Sequence, residues 1–138
     1  MRQEERVGSL MIVHSLKVLL VEDSTVLADR MREAITQIPE FDVIAVVDSE
    51  AAAIAEINRR HVHVVLLDLY LKQGSGFGVL RAMADLHPKP HVVVLTNHDS
   101  AQHKRDAMTL GAAHFLDKAR NFAQLPQILR RVASGEPA

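Results

Sequence analysis

Five short apolar runs, each followed by an amphipathic stretch, limit what this chain can fold into. They are Leu16–Val21 (LKVLLV), Val43–Val47 (VIAVV), Val62–Leu67 (VHVVLL), His91–Leu95 (HVVVL) and His114–Asp117 (HFLD). The runs are too short for helices, rich in branched residues, and apolar almost throughout rather than at alternate positions. That is the pattern of strands covered on both faces. Between them, apolar residues return every three or four positions, the period of a helix face. Leu27, Met31, Ile35 and Ile38 follow the first run; Ala53, Ile54 and Ile57 the second; Phe77, Leu80, Met83 and Leu86 the third. Ala107, Met108 and Leu110 make a thin face after the fourth, and Phe122, Leu125, Ile128, Leu129 and Val132 a fuller one after the fifth. The alternation predicts an α/β unit of (βα)₅ type, a parallel sheet with helices on both faces.

Local signals agree. Ser24 or Thr25, and Ser49, stand where helix N-caps belong, and Pro39 stops the first helix. Leu69–Gly76 reads as a loop, and Gly111 suits the C-terminal cap of a helix over Ser100–Leu110. Pro126 fits the last helix only if that helix begins near residues 122–124, where first-turn N–H groups have no partner to lose. The expected organisation is an N-terminal extension over 1–15, with Met11 as an alternative start, one domain over 16–134 and a tail over 135–138. No linker to a second domain is expected. Lys+Arg 16 against Asp+Glu 17 gives a net charge of −1, so direct nucleic-acid binding is not implied. Cysteine is absent, which excludes disulfides and thiolate chemistry. No apolar run approaches the roughly 20 residues of a membrane span, and a cytoplasmic location is expected.

Ligands of open parallel sheets bind beyond the carboxyl ends of the strands. Glu22 and Asp23 follow strand one, Asp68 strand three, Thr96 strand four and Lys118 strand five. Three carboxylates gathered on one rim repel one another and call for a cation. An all-oxygen donor set suits a hard ion, Mg²⁺ rather than zinc. Asp68 can serve as a nucleophile toward phosphorus, forming an acyl phosphate, with Lys118 and the ion offsetting charge and Thr96 donating a hydrogen bond. Any one of these residues alone is more often a cap or a solvated side chain; the ordered set is what points to a site.

The runs LKVLLVEDS, VVLLDLYLKQGSGFGVL, VVVLTNHD and GAAHFLDK resemble the receiver (CheY-like) domains of two-component response regulators, over about residues 16–133. The resemblance implies a flavodoxin-like fold with strand order 2-1-3-4-5. It implies Asp68 as phosphoacceptor, and Glu22 and Asp23 as the acidic pair, with Asp23, Asp68 and the backbone carbonyl of Tyr70 ligating Mg²⁺. It implies Thr96 as the switch hydroxyl, Lys118 as the lysine that meets the phosphoryl oxygen, and Phe115 as the aromatic that changes rotamer. Tyr70 and His98 match the positions that flank the attacking water and tune phosphate lifetime. The implied partners are a histidine kinase or histidine phosphotransfer protein upstream and a protein target on the 97–134 face, with homodimerisation possible. Function is then that of a stand-alone receiver, not an enzyme beyond self-phosphotransfer and autodephosphorylation.

Three residues depart from the family pattern. Ala119 replaces the proline that commonly follows the lysine through a cis bond; before alanine a cis bond costs about 2.5–4 kcal/mol, so a trans or strained loop is expected. Asn97 is larger than the small residue common there and narrows access for small phosphodonors. Phe115 lacks the hydroxyl of the commoner tyrosine. Two alternatives follow: a degenerate receiver that binds partners without phosphate, and a haloacid dehalogenase-type phosphatase. The latter needs a second Asp where Tyr70 stands. The pairs His61/His63 and His98/His103 lack the i, i+4 spacing of helical metal ligands. Gly74, Gly76 and Gly78 match no phosphate-loop motif and read as close loop-to-helix packing. The basic pairs Arg59–Arg60 and Arg130–Arg131 read as solvated helix ends.

Overall fold

A computed structural model describes residues 15–97 and 100–135; His98 and the predicted extension and tail, Ser15 and Gly135 excepted, lie outside them. The strands are β1 (Leu16–Val21), β2 (Phe41–Val47), β3 (Val64–Leu67), β4 (His91–Thr96) and β5 (His114–Asp117). The helices are α1 (Thr25–Thr36), α2 (Glu50–Arg59), α3 (Gly76–Met83), α4 (Ala101–Thr109) and α5 (Leu125–Ser134), the last entered through a 3₁₀ turn at Phe122–Gln124. All strand pairs are parallel, in the order β2-β1-β3-β4-β5. This is the doubly wound arrangement expected.

The apolar runs are explained by two cores. Leu19, Val21, Val65, Leu67, Val92 and Val94 face one layer with Ala53, Ile57, Val79, Leu80, Met83 and Ala107. Their neighbours Val18, Leu20, Val64, Leu66, Val93 and Leu95 face the other, with Met31, Ile35, Leu125, Ile128 and Leu129. Side chains alternate across each strand as the pleat requires, but both sides are dry.

Each of the first four helices starts on a serine. Ser24, Ser49, Ser75 and Ser100 accept from the N–H groups of Leu27, Ala52, Gly78 and His103 at 3.3, 3.1, 3.3 and 3.1 Å. α5 has no such cap and uses Pro126 in its first turn, as expected. Gly111, at φ +108°, ends α4: its N–H donates to Met108 O at 3.1 Å and that of Ala112 to Ala107 O at 3.0 Å. That pair of bonds is a Schellman closure, and the left-handed backbone is why glycine stands there.

Some boundaries differ from the sequence pattern. α1 stops at Thr36, yet Ile38 is buried through a turn in which its N–H donates to Ile35 O. Leu86 lies beyond the end of α3. β3 begins at Val64, not Val62, because the imidazole of His63 intervenes: its Nδ1 accepts the Lys17 N–H at 2.8 Å, a bond that a ladder carbonyl would otherwise take. Met108 is 40% exposed, so α4 is rooted by Ala107 as its one fully buried residue.

Histidines gather at the opposite end of the sheet from the acidic rim. His63 lies edge-on to His61, and His91 and His114 face each other with centroids 5.3 Å apart. Burial first, then neighbouring positive charge, pulls His63, His91 and His114 below their ordinary value of 6.5. The unfolded chain therefore binds protons more readily than the folded one. Their contribution to stability is complete above pH 6.5 and is lost as pH falls through the folded values. The urea midpoint is expected to drop between pH 7.5 and pH 5.5, and a variant with all three replaced by glutamine should show a flatter slope. Equal slopes in the two proteins would contradict this.

Candidate functional site

The rim residues are placed by main-chain bonds that carry the ladder beyond the strands. Glu22 N–H donates to Val47 O at 2.9 Å, Asp68 N–H to Val21 O at 3.0 Å and Lys118 N–H to Thr96 O at 3.1 Å. Each side chain thus leaves the sheet from a fixed backbone. Glu22, Asp68, Thr96 and Lys118 are buried although polar, and Asp23 is half-buried.

Lys118 Nζ lies 2.9 Å from Asp68 Oδ2 and 2.8 Å from Glu22 Oε1. The first contact is a well-formed hydrogen bond. The second is an ion pair whose geometry leaves Glu22 Oε1 buried without an aligned donor. Ser24 N–H donates to Glu22 Oε2 at 3.0 Å, Lys72 N–H to Asp23 Oδ2 at 2.7 Å and Tyr70 N–H to Asp68 Oδ1 at 3.3 Å. Burial raises the Glu22 carboxyl above its ordinary value of 4.5 despite the opposing lysine and Ser24 bonds. Burial would lower Lys118, but the Glu22 and Asp68 carboxylates against it more than offset that and raise it above 10.5.

Glu22, Asp23 and Asp68 each bring an oxygen within 4.8 Å of the others. Three carboxylates against one ammonium leave excess negative charge, and one buried oxygen lacks a donor. Both features fit a hard divalent cation held by oxygen. The rim opens into a cleft of about 370 Å³ walled by Asp68, Tyr70, Asn97 and Lys118. A larger groove of about 630 Å³ runs over Ala51, Ile54 and Gly74 on the flank of α2 and shares no lining residue with the cleft. Size does not mark the chemistry here.

Of the predicted residues, Glu22, Asp23, Asp68 and Lys118 meet directly, Thr96 is fully buried at the end of β4, and Asn97 is exposed at the cleft. Phe115 sits half-buried against the Ala107 layer on β5, two strands across from β3 and Asp68. The only cis peptide among the described residues is His87–Pro88, so Lys118–Ala119 is trans. The lysine loop is held by side chains instead. Asp117 Oδ1 accepts from the N–H groups of Ala119 and Arg120, both at 2.8 Å, and Asn121 Oδ1 accepts from Asp117 N–H at 2.9 Å. The sequence reading missed Asp117 and Asn121 as a unit, though an aspartate followed by a turn is a legible Asx signal. It also missed Glu50, whose Oε1 accepts from Ser75 N–H at 2.9 Å and pins the loop after Asp68 to α2. That contact joins positions 25 residues apart and leaves no local trace.

Comparison with known proteins agrees with this geometry. The profile of the response regulator receiver domain matches residues 18–130. The chain belongs to the response regulator receiver family. This receiver domain is 29% identical over 119 residues to the transcriptional regulatory protein CitB of Klebsiella pneumoniae, covering 86% of this chain and 51% of that one. It is 33% identical over 116 residues to the transcriptional regulatory protein DpiA of Escherichia coli K12, covering 84% and 51%. The signal receiver domain of the response regulator NarL from Mycobacterium tuberculosis superposes with a TM-score of 0.78 at 23% identity, covering 89% of this chain and 99% of that one. The receiver thus spans about half the length of the curated relatives it matches, and the outputs of those longer proteins are their own. Among the described residues, no helix is long and apolar enough to cross a membrane.

Proposed function

We propose that Asp68 accepts a phosphoryl group from a histidine kinase or histidine phosphotransfer protein and that the 97–134 face then docks a protein target in the cytoplasm. The observation that carries this reading is the Lys118 ammonium 2.9 Å from Asp68 Oδ2, inside a ring of carboxylates. An Asp68 oxygen forms the new bond to phosphorus as the donor's bond to phosphorus breaks, and the donor leaves with that electron pair. Lys118 holds charge beside the oxygens of the arriving group, and Thr96 donates to them. Asp23, Asp68 and the Tyr70 carbonyl would hold Mg²⁺, with Glu22 beside them; when bound, the ion neutralises charge on the phosphoryl oxygens. Tyr70 and Asn97 line the cleft beside Asp68, and with His98 they would set how long the acyl phosphate lasts. Phe115 follows Thr96 in the change of shape.

Incubation with acetyl phosphate and Mg²⁺, followed by intact-mass measurement, tests the reading. Wild type is expected to gain one phosphoryl group and Asp68→Asn none. An unmodified wild type, with both small and kinase donors, would favour a phosphate-independent interaction module instead.

A further inference from the structure

We infer that His103 is a positioning residue that fixes Tyr70 as a wall of the Asp68 cleft and so ties that wall to α4. This rests on the reading of Asp68 as phosphoacceptor.

Tyr70 is two residues beyond Asp68, bonds to its Oδ1 through the backbone, and lines the cleft with Asn97 and Lys118. The residue is 44% exposed, so burial alone does not fix its ring. Contacts from α4 do. The Tyr70 hydroxyl is hydrogen bonded to His103 Nε2, and His103 Nδ1 to the hydroxyl of Ser100. Ser100 Oγ also accepts the His103 N–H at 3.1 Å, so one residue caps the helix and orients the imidazole. The imidazole stacks on Phe77, the second residue of α3, at 6.2 Å and 24°, and meets the Tyr70 ring edge-on at 5.4 Å. The chain of bonds closes in either neutral tautomer, because both hydroxyls can donate or accept. It closes in the imidazolium as well, because both can accept. On a helix with Ala107 as its one buried residue, this tie adds a polar link to a thin apolar hold.

The chain contains one tyrosine, so ring-¹³C tyrosine labelling gives a single set of signals. We expect nuclear Overhauser contacts between the Tyr70 and His103 rings in wild type and their loss in His103→Leu. Tyr70→Phe and His103→Leu should each raise two rates together, phosphorylation by acetyl phosphate and hydrolysis of the acyl phosphate. The rise should be about five-fold, the worth of one net hydrogen bond. General damage to the fold would lower the first rate, not raise it. The double variant should match the singles, since both remove the same bond, and His103→Gln, with a donor and an acceptor, should restore most of the wild-type behaviour. Absent ring contacts in wild type, or an active wild type whose variants share its rates, would overturn the inference alone. A wild type that accepts no phosphoryl group from any donor would overturn the phosphoacceptor reading and the inference with it.

Discussion

Lys118→Met is expected to lower the unfolding free energy by about 3–5 kcal/mol at neutral pH without divalent ions, the range for removing one member of a buried ion pair. The lysine side chain is 7% exposed, and its partners Glu22 and Asp68 are 0% and 6% exposed. Methionine fills the space of the stem, so lost packing contributes little; the loss comes from carboxylates left facing each other in a dry site. Two dependences separate this from ordinary core damage. Mg²⁺ should recover part of the loss, because a cation bound among Glu22, Asp23 and Asp68 replaces the missing charge. Acid should recover part as well, because burial already raises the Glu22 carboxyl and a proton there removes one of the facing charges. Urea denaturation with and without Mg²⁺ gives both results. A midpoint equal to that of wild type under all conditions would show that the ammonium does not hold these carboxylates together. The same variant should take up phosphoryl groups far more slowly, since Asp68 loses the cation 2.9 Å from its oxygen.

Gly76→Ala is the second large effect. Alanine favours a helix over glycine by about 1 kcal/mol, and Gly76 is the first residue of α3, so propensity alone predicts a small gain. Space decides otherwise. A Cβ on Gly76 would stand 2.4 Å from the Asp68 carbonyl oxygen and 2.8 Å from Leu69 Cα, both backbone atoms that no rotamer change can move. Overpacking of this kind costs about 1–3 kcal/mol, occasionally more, so a net loss of about 2 kcal/mol is expected. The displacement falls on the residue that carries the nucleophile, so phosphorylation should slow more than the stability change alone accounts for. Thermal unfolding and the acetyl phosphate rate measured on one preparation check this. An unchanged melting temperature would mean that the loop and α3 move apart freely.

These two sites also show what could be read from the sequence. The strand ends were legible because the apolar runs of the buried strands stop at or one residue short of the rim. Polar side chains that break the pattern, such as Asp68 after Leu67 and Thr96 after Leu95, announce the rim. The convergence of Glu22, Asp68 and Lys118 followed from topology alone. The contacts that tune the rim did not. Glu50 reaching Ser75, and His103 reaching Tyr70, join segments whose separation carries no period, and nothing local distinguishes these side chains from solvated ones. Boundaries slipped where a side chain took over a backbone's role, as His63 does ahead of β3 and as the turn through Ile38 does after α1.

The hydrogen bonds of the loop around Lys118 bear on what position 119 can hold. Asp117 Oδ1 uses the Ala119 N–H as one of its two backbone donors, and a proline at 119 has no hydrogen to give. Ala119→Pro would therefore remove that bond from the lysine loop. The Arg120 N–H would still reach Asp117 Oδ1, so the turn that carries the ammonium would be held by one fewer backbone bond, not released.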